Sequence, residues 1–126
     1  MKTTTTTTTT NKMDKTTNYI TPNWEPLEDL NRIYPELFSM EDFMWMHTSN
    51  GIECYKHRLM RNYINIDSNG NFWKYTNLQA GGGGGKYGYI NISGIEARRN
   101  LRKMNEHQQE FNVACQIMRN KTSAKK

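Results

Sequence analysis

Tyr63-Ile64-Asn65-Ile66-Asp67-Ser68-Asn69-Gly70-Asn71-Phe72-Trp73-Lys74-Tyr75-Thr76 is the stretch whose reading decides the fold. Two short runs rich in aromatic and β-branched residues flank a polar quartet, the pattern of a β-hairpin. Asn69-Gly70 supplies two residues that tolerate positive φ, so the expected connection is a type I′ turn. That turn pairs Asp67 with Phe72, Ile66 with Trp73, Asn65 with Lys74 and Ile64 with Tyr75. Alternate residues of a strand share a face, which puts Ile64, Ile66, Trp73 and Tyr75 on an apolar side and Asn65, Asp67 and Lys74 on the other.

Upstream of this hairpin, Ile52 to Leu59 reads as a strand. Downstream, Gly81 to Gly85 reads as a flexible loop and Lys86 to Ile92 as a further strand. Ser93 and Glu96 match a capping box that opens a helix running to about Arg119. Along that helix Ala97, Leu101, Met104, Phe111, Cys115 and Met118, interrupted by Gln108, form one stripe at spacings of three and four, predicted to pack on the hairpin's apolar face.

Before the hairpin, Pro26 suits the first turn of a short helix through about Ile33, which Pro35 ends. Ser39 is placed as an N-cap, with Glu41 and Asp42 at the positive end of the dipole. It predicts a second helix from Met40 to His47 that stops at Asn50-Gly51. The homopolymer Thr3 to Thr10 belongs to a polar arm that buries too little apolar surface to offset its ordering entropy. The expected architecture is therefore α+β: two short N-terminal helices, a three- or four-stranded antiparallel meander with a central hairpin, and a long C-terminal helix packed on the sheet. Residues 1–22 are expected as a disordered Thr-rich arm, 23–119 as a single domain and 120–126 as a basic disordered tail.

The apolar share is only 35%, but seven Tyr, four Phe and three Trp among 126 residues supply enough buriable surface for one modest core. Fifteen asparagines with frequent Lys, Ile and Tyr match the bias of an AT-rich genome such as that of a virus or phage. No run approaches the roughly 18 apolar residues of a membrane span, and no amino-terminal stretch resembles a signal peptide. Cys54 and Cys115 are accordingly expected as reduced thiols in a cytoplasmic protein without a membrane partner.

The net charge of +5 is unevenly spread: residues 24–50 carry −5, residues 51–92 carry +3 and residues 93–126 carry +5. Arg98, Arg99, Arg102 and Lys103 fall on the side of the last helix away from its stripe, where exposed cations suit phosphates. Lys56, Arg58, Arg61, Lys74 and Lys86, on or beside the strands, widen that basic surface. With Trp73 and Tyr75 assigned to the core, Tyr63, Phe72, Tyr87 and Tyr89 remain as the set that could stack on unpaired bases.

Other chemistries fail on context. Gly83, Gly85 and Gly88 match GxGxxG but lead into a strand rather than a helix, and a Walker A reading lacks its first Gly and its Ser or Thr. Cys54 and His57 have ligand chemistry, but residues three apart in a regular strand face opposite ways, so a buried cysteine and a surface histidine are expected. Asp67, Asn69 and Asn71 mimic a calcium loop without its glycine or its bidentate acid. No metal or cofactor is expected, and no constellation of His, Cys and carboxylate suggests an enzyme. The leading expectation is a small non-enzymatic accessory protein that binds nucleic acid electrostatically. The alternative is a protein-binding or structural module, in a virion or as an inhibitor, whose acidic segment and helix stripe pair between copies or with another protein.

Overall fold

The structure, a computed structural model, describes residues 21–79 and 86–124, with only the backbone of residues 122–124. The expected arm over residues 1–20, the glycine loop and the last two residues of the expected tail lie outside the described residues. Helix α1 (Glu25–Ile33) and a 3-10 turn (Met40–Asp42) precede strands β1 (Phe43–Ser49), β2 (Ile52–His57), β3 (Tyr63–Asp67), β4 (Phe72–Asn77) and β5 (Tyr87–Ile92). Helix α2 (Gly94–Ala124) follows. The five strands form one antiparallel sheet in the order β1-β2-β3-β4-β5. The class is α+β, with two strands' worth of meander more than the shortest expectation.

Helix α1 forms where Pro26 placed it, in the first turn, and buries Pro26, Leu27 and Leu30. The second expected helix does not form. Ser39 makes no backbone cap, because its hydroxyl is turned to the Glu41 carboxylate at 3.4 Å, and helical geometry lasts only from Met40 to Asp42. Phe43 to Ser49 instead pair with β2. Asn50 and Gly51 have φ of 51° and 79°, the paired positive values of a type I′ turn, and Ser49 opposes Ile52 across them. The dipeptide taken as a helix stop is thus the tight hairpin turn of the sheet.

The reverse holds at Asn69-Gly70. Only Gly70 has positive φ there, 84°, and its N–H donates to the Asp67 carbonyl at 3.1 Å. This is a type I turn closed by a glycine bulge, giving a three-residue loop in which Asp67 opposes Asn71. The register therefore slips by one residue from the type I′ expectation, so that Ile66 opposes Phe72 and Asn65 opposes Trp73. Because side chains alternate, the slip exchanges faces. Phe72 enters the core, whereas Trp73 and Tyr75 turn to the opposite side.

One face of the sheet carries Phe43, Tyr55, Ile64, Ile66 and Phe72 into a core closed by Leu27 and Leu30 of α1, by Phe38, and by Ala97, Leu101 and Met104 of α2. Tyr55 is fully buried, stacks on Trp24 with ring centroids 5.4 Å apart, and donates to the Asn23 carbonyl at 2.6 Å. Beside it lies Glu53, a buried carboxylate. It accepts from Trp45 Nε1 at 2.8 Å, from the Thr48 hydroxyl at 2.6 Å and from Asn23 Nδ2 at 3.1 Å. Trp45 and Thr48 are three apart, yet both reach it because a bulge at Met46 inserts one residue into β1. Ser93 caps α2 as expected, accepting from the Glu96 N–H at 3.1 Å, but the helix continues past Arg119 to Ala124. Its stripe is buried only as far as Met104.

The slipped register separates two aromatic residues by their energetic weight. Phe72→Ala should destabilise the fold by about 3–5 kcal/mol, a large core truncation. Tyr75→Ala, at a 57% exposed position, should change it by under about 0.5 kcal/mol. Urea unfolding of the two variants measures both, and a larger loss at Tyr75 would contradict the register.

Candidate functional site

Strands β3 and β4 are bridged only at Ile66–Phe72 and Asn65–Trp73. Beyond those pairs Tyr63 and Ile64 no longer meet Lys74 and Tyr75, while β4 stays paired with β5 from Phe72 to Asn77. The parted strands open a cleft of about 1030 Å³. It is lined from the core side by Ile64, Ile92 and Met104 and from the opposite side by Asn65, Trp73, Tyr75, Tyr89, His47 and Ser49. Met60, Arg61, Asn62 and Tyr63 form one rim, and Asn100, Lys103 and His107 of α2, with Lys74, form the other.

No Asp or Glu is among the lining residues, although the chain holds 12. Three permanent cations, Arg61, Lys74 and Lys103, are. Two groups that could add negative charge are kept neutral. Burial pushes the Tyr89 hydroxyl up to about 12, helped by its contact with Cys54, and burial likewise pushes the Cys54 thiol up. Tyr89 Oη and Cys54 Sγ lie 3.3 Å apart at the floor of this face. Tyr75 packs between Tyr87, centroids 5.8 Å apart and nearly parallel, and Tyr89, centroids 5.0 Å apart and tilted, so the aromatic wall extends beyond the cleft along β4 and β5.

Two features mark the cleft as more than a gap in the sheet. Asn65 is 4% exposed, its Nδ2 donates to the Trp73 carbonyl at 3.1 Å, and its Oδ1 has no hydrogen-bond partner. An amide oxygen so placed normally finds a donor, since leaving it bare costs about 1–3 kcal/mol. Arg61, on the rim, has φ of 69°, a left-handed conformation that costs a non-glycine residue about 1–3 kcal/mol. The loop holds it there. His57 N–H donates to the Asn62 carbonyl at 2.7 Å, Arg61 N–H to the His57 carbonyl at 2.9 Å, and Met60 N–H to His57 Nδ1 at 3.0 Å.

The nine cations expected to form one basic surface are distributed. Arg61, Lys74 and Lys103 reach the cleft. Lys56 sits 5.8 Å from the centroid of the Tyr63 ring at its edge. Arg58 donates from Nε to the Glu41 carbonyl at 3.0 Å, anchoring the 3-10 turn. Arg98 lies over Tyr34 at 5.0 Å, and Arg102 lines a shallow hollow with Tyr34 and Glu36 at the end of α1. Arg99 and Lys86 are exposed.

Asn65 keeps the face expected of it, whereas Trp73 and Tyr75 line the candidate site and were hidden by the type I′ register. The signal that would have found them is Asp67 at the first and Gly70 at the fourth position of a type I turn. Of the expected stacking set, Phe72 is in the core and Tyr63, Tyr87 and Tyr89 share the aromatic face. Cys54 is buried on one face as expected. His57, expected at the surface, is buried on the other, edge-on to Phe43 with centroids 5.0 Å apart. Among the described residues no three His, Cys, Asp or Glu side chains come together as metal ligands, and no helix is long and apolar enough to cross a membrane. Comparison of the chain with known family models, curated proteins and solved structures found no match.

Burial pushes the His57 imidazole below its ordinary value of 6.5, with the nearby Asp42 carboxylate only partly opposing. The neutral form is the one folded, so its contribution is complete above about pH 6.5 and is lost as pH falls toward the folded value. Urea titrations should show stability declining over the acid window that opens below about pH 6.5, a decline that His57→Gln flattens at the cost of lower stability throughout. A wild type equally stable across that window would contradict it. Asp42, whose pKa burial raises, has the opposite sign.

Proposed function

We propose that this protein is a non-enzymatic accessory protein that binds single-stranded nucleic acid in the cleft where β3 and β4 part. The observation that carries the reading is the composition of that cleft: three cations, four aromatic rings and no carboxylate, in a chain whose acidic residues are gathered elsewhere. A backbone of phosphates meets Arg61, Lys74 and Lys103, with exposed Arg99 of α2 continuing the positive path. Unpaired bases stack on Trp73, Tyr75 and Tyr63, each stack contributing about 1–3 kcal/mol. A donor on a base edge satisfies the free acceptor of Asn65.

A duplex presents no unstacked bases to these rings and is too wide for a cleft between two strands of one sheet, so the single-stranded form is favoured. The basic helix face contributes less than its charge suggests, because Arg98 is held over Tyr34 and Arg102 is turned toward the end of α1.

Fluorescence titration with a short labelled oligonucleotide tests the proposal. Affinity should fall with salt at a logarithmic slope of roughly −2, as for about three neutralised phosphates on a single strand. Lys74→Glu should weaken binding at least about tenfold and flatten that slope. Tyr75→Ala should weaken binding about 5- to 100-fold and leave the slope intact. Binding independent of salt, or unchanged in both variants, would refute it.

A further inference from the structure

The stripe on α2 does not end where the sheet does. Ala97, Leu101 and Met104 are buried against the sheet, and the same alternation of three and four continues through Gln108, Phe111, Cys115 and Met118. Phe111 is nevertheless 48% exposed, as are the helix's other large apolar residues beyond Met104. Residues 105–124 extend about 30 Å at the rise of an α-helix. A segment of that length and mixed composition gains little from propensity alone and depends on packing for its stability.

We propose that this half of α2 pairs with the same half of a second copy of the chain, antiparallel and related by a two-fold axis. The stripe is a heptad seam, with Leu101, Gln108 and Cys115 in one core position and Met104, Phe111 and Met118 in the other. Orientation follows from the fold. Each protomer's own sheet lies on the stripe at its first half, so a parallel pair would force two sheets into the space between the helices. An antiparallel pair puts the two sheets at opposite ends and leaves the second halves free to meet. Phe111 of one copy then packs beside Cys115 of the other, and Gln108 beside Met118.

Charge agrees. The sheet-proximal end of this segment carries Glu106 and Glu110, and its far end Arg119 and Lys121. Antiparallel pairing sets acidic ends beside basic ends, whereas parallel pairing stacks the basic ends on each other. The contact is isologous and closes on itself, so it yields a dimer and not a filament. This inference rests on residues other than those of the cleft, which reaches along α2 only as far as His107.

Sedimentation equilibrium of the full chain at roughly 100 µM, a concentration at which weak self-association is visible, should give twice the monomer mass. Phe111→Asp alters a residue that contacts no core and should sediment as a monomer with unchanged circular dichroism per residue in the sheet region. Lys74→Glu should remain dimeric. Phe111→Cys, mildly oxidised, should form an interchain disulfide that peptide mapping assigns between position 111 and Cys115 of the other copy. A monomeric or higher-order wild type, a dimeric Phe111→Asp, or a crosslink joining position 111 to itself would overturn the proposal.

Discussion

Asp67 is the residue on which the geometry of the sheet depends. Its carboxylate accepts from the N–H groups of Asn69 and Asn71 at 3.0 and 2.9 Å, and from the Trp73 indole at 3.0 Å. Burial works against its charge, but these hydrogen bonds together with the side chain of Asn71 hold its carboxyl below the usual range. A carboxylate so used organises a three-residue loop and leaves no freedom for a two-residue one. It also fixes the indole that begins the aromatic face, so the turn and the candidate site share one anchor.

From that anchor the two sides of the sheet take their character. Phe72 completes a core whose other members come from α1, α2 and the strands on either side. Trp73 and Tyr75 join Tyr87 and Tyr89 on the opposite face. The Asn65 side chain bonds the Trp73 carbonyl at the last bridged pair, after which the strands separate. A sheet that stayed paired from Tyr63 to Asn77 would have had an aromatic surface but no cleft, and its cations would have lain on a flat face exposed to bulk solvent.

Much of this was legible in the sequence where the signal was local and redundant. Pro26 opened α1, Ser93 capped α2, and the alternation at Lys86 to Ile92 gave β5, because each rests on a few neighbouring residues. The errors came where one short motif has two uses. Asn-Gly occurs twice, at Asn50 and at Asn69, and only the first has the paired positive φ of a hairpin turn. At the second, the preceding Asp67 competes for the backbone N–H groups and wins. Phe43 to Ser49 carried no strict alternation because the bulge at Met46 interrupts it, and a dense apolar run without period reads equally as helix or strand. The cleft was invisible for a different reason. It depends on where two strands cease to pair, which no residue in either strand announces. Arg61, Lys74 and Lys103 were legible as cations and the fold brings them to one cleft, but Trp73 and Tyr75 beside them were concealed by a slip of one residue.

The buried Glu53 has a consequence for how the molecule comes apart. Its three donors belong to different pieces of chain: Asn23 ahead of α1, and Trp45 and Thr48 on either side of the bulge in an edge strand. Edge strands and chain ends ordinarily fray one at a time, each at small cost. Here the departure of either piece strips hydrogen bonds from a carboxylate already removed from water, so the loss of one raises the cost of leaving the other incomplete. The amino-terminal segment and β1 are thereby bound into a single cooperative unit with β2, and through His47 and Ser49 that unit also reaches the cleft.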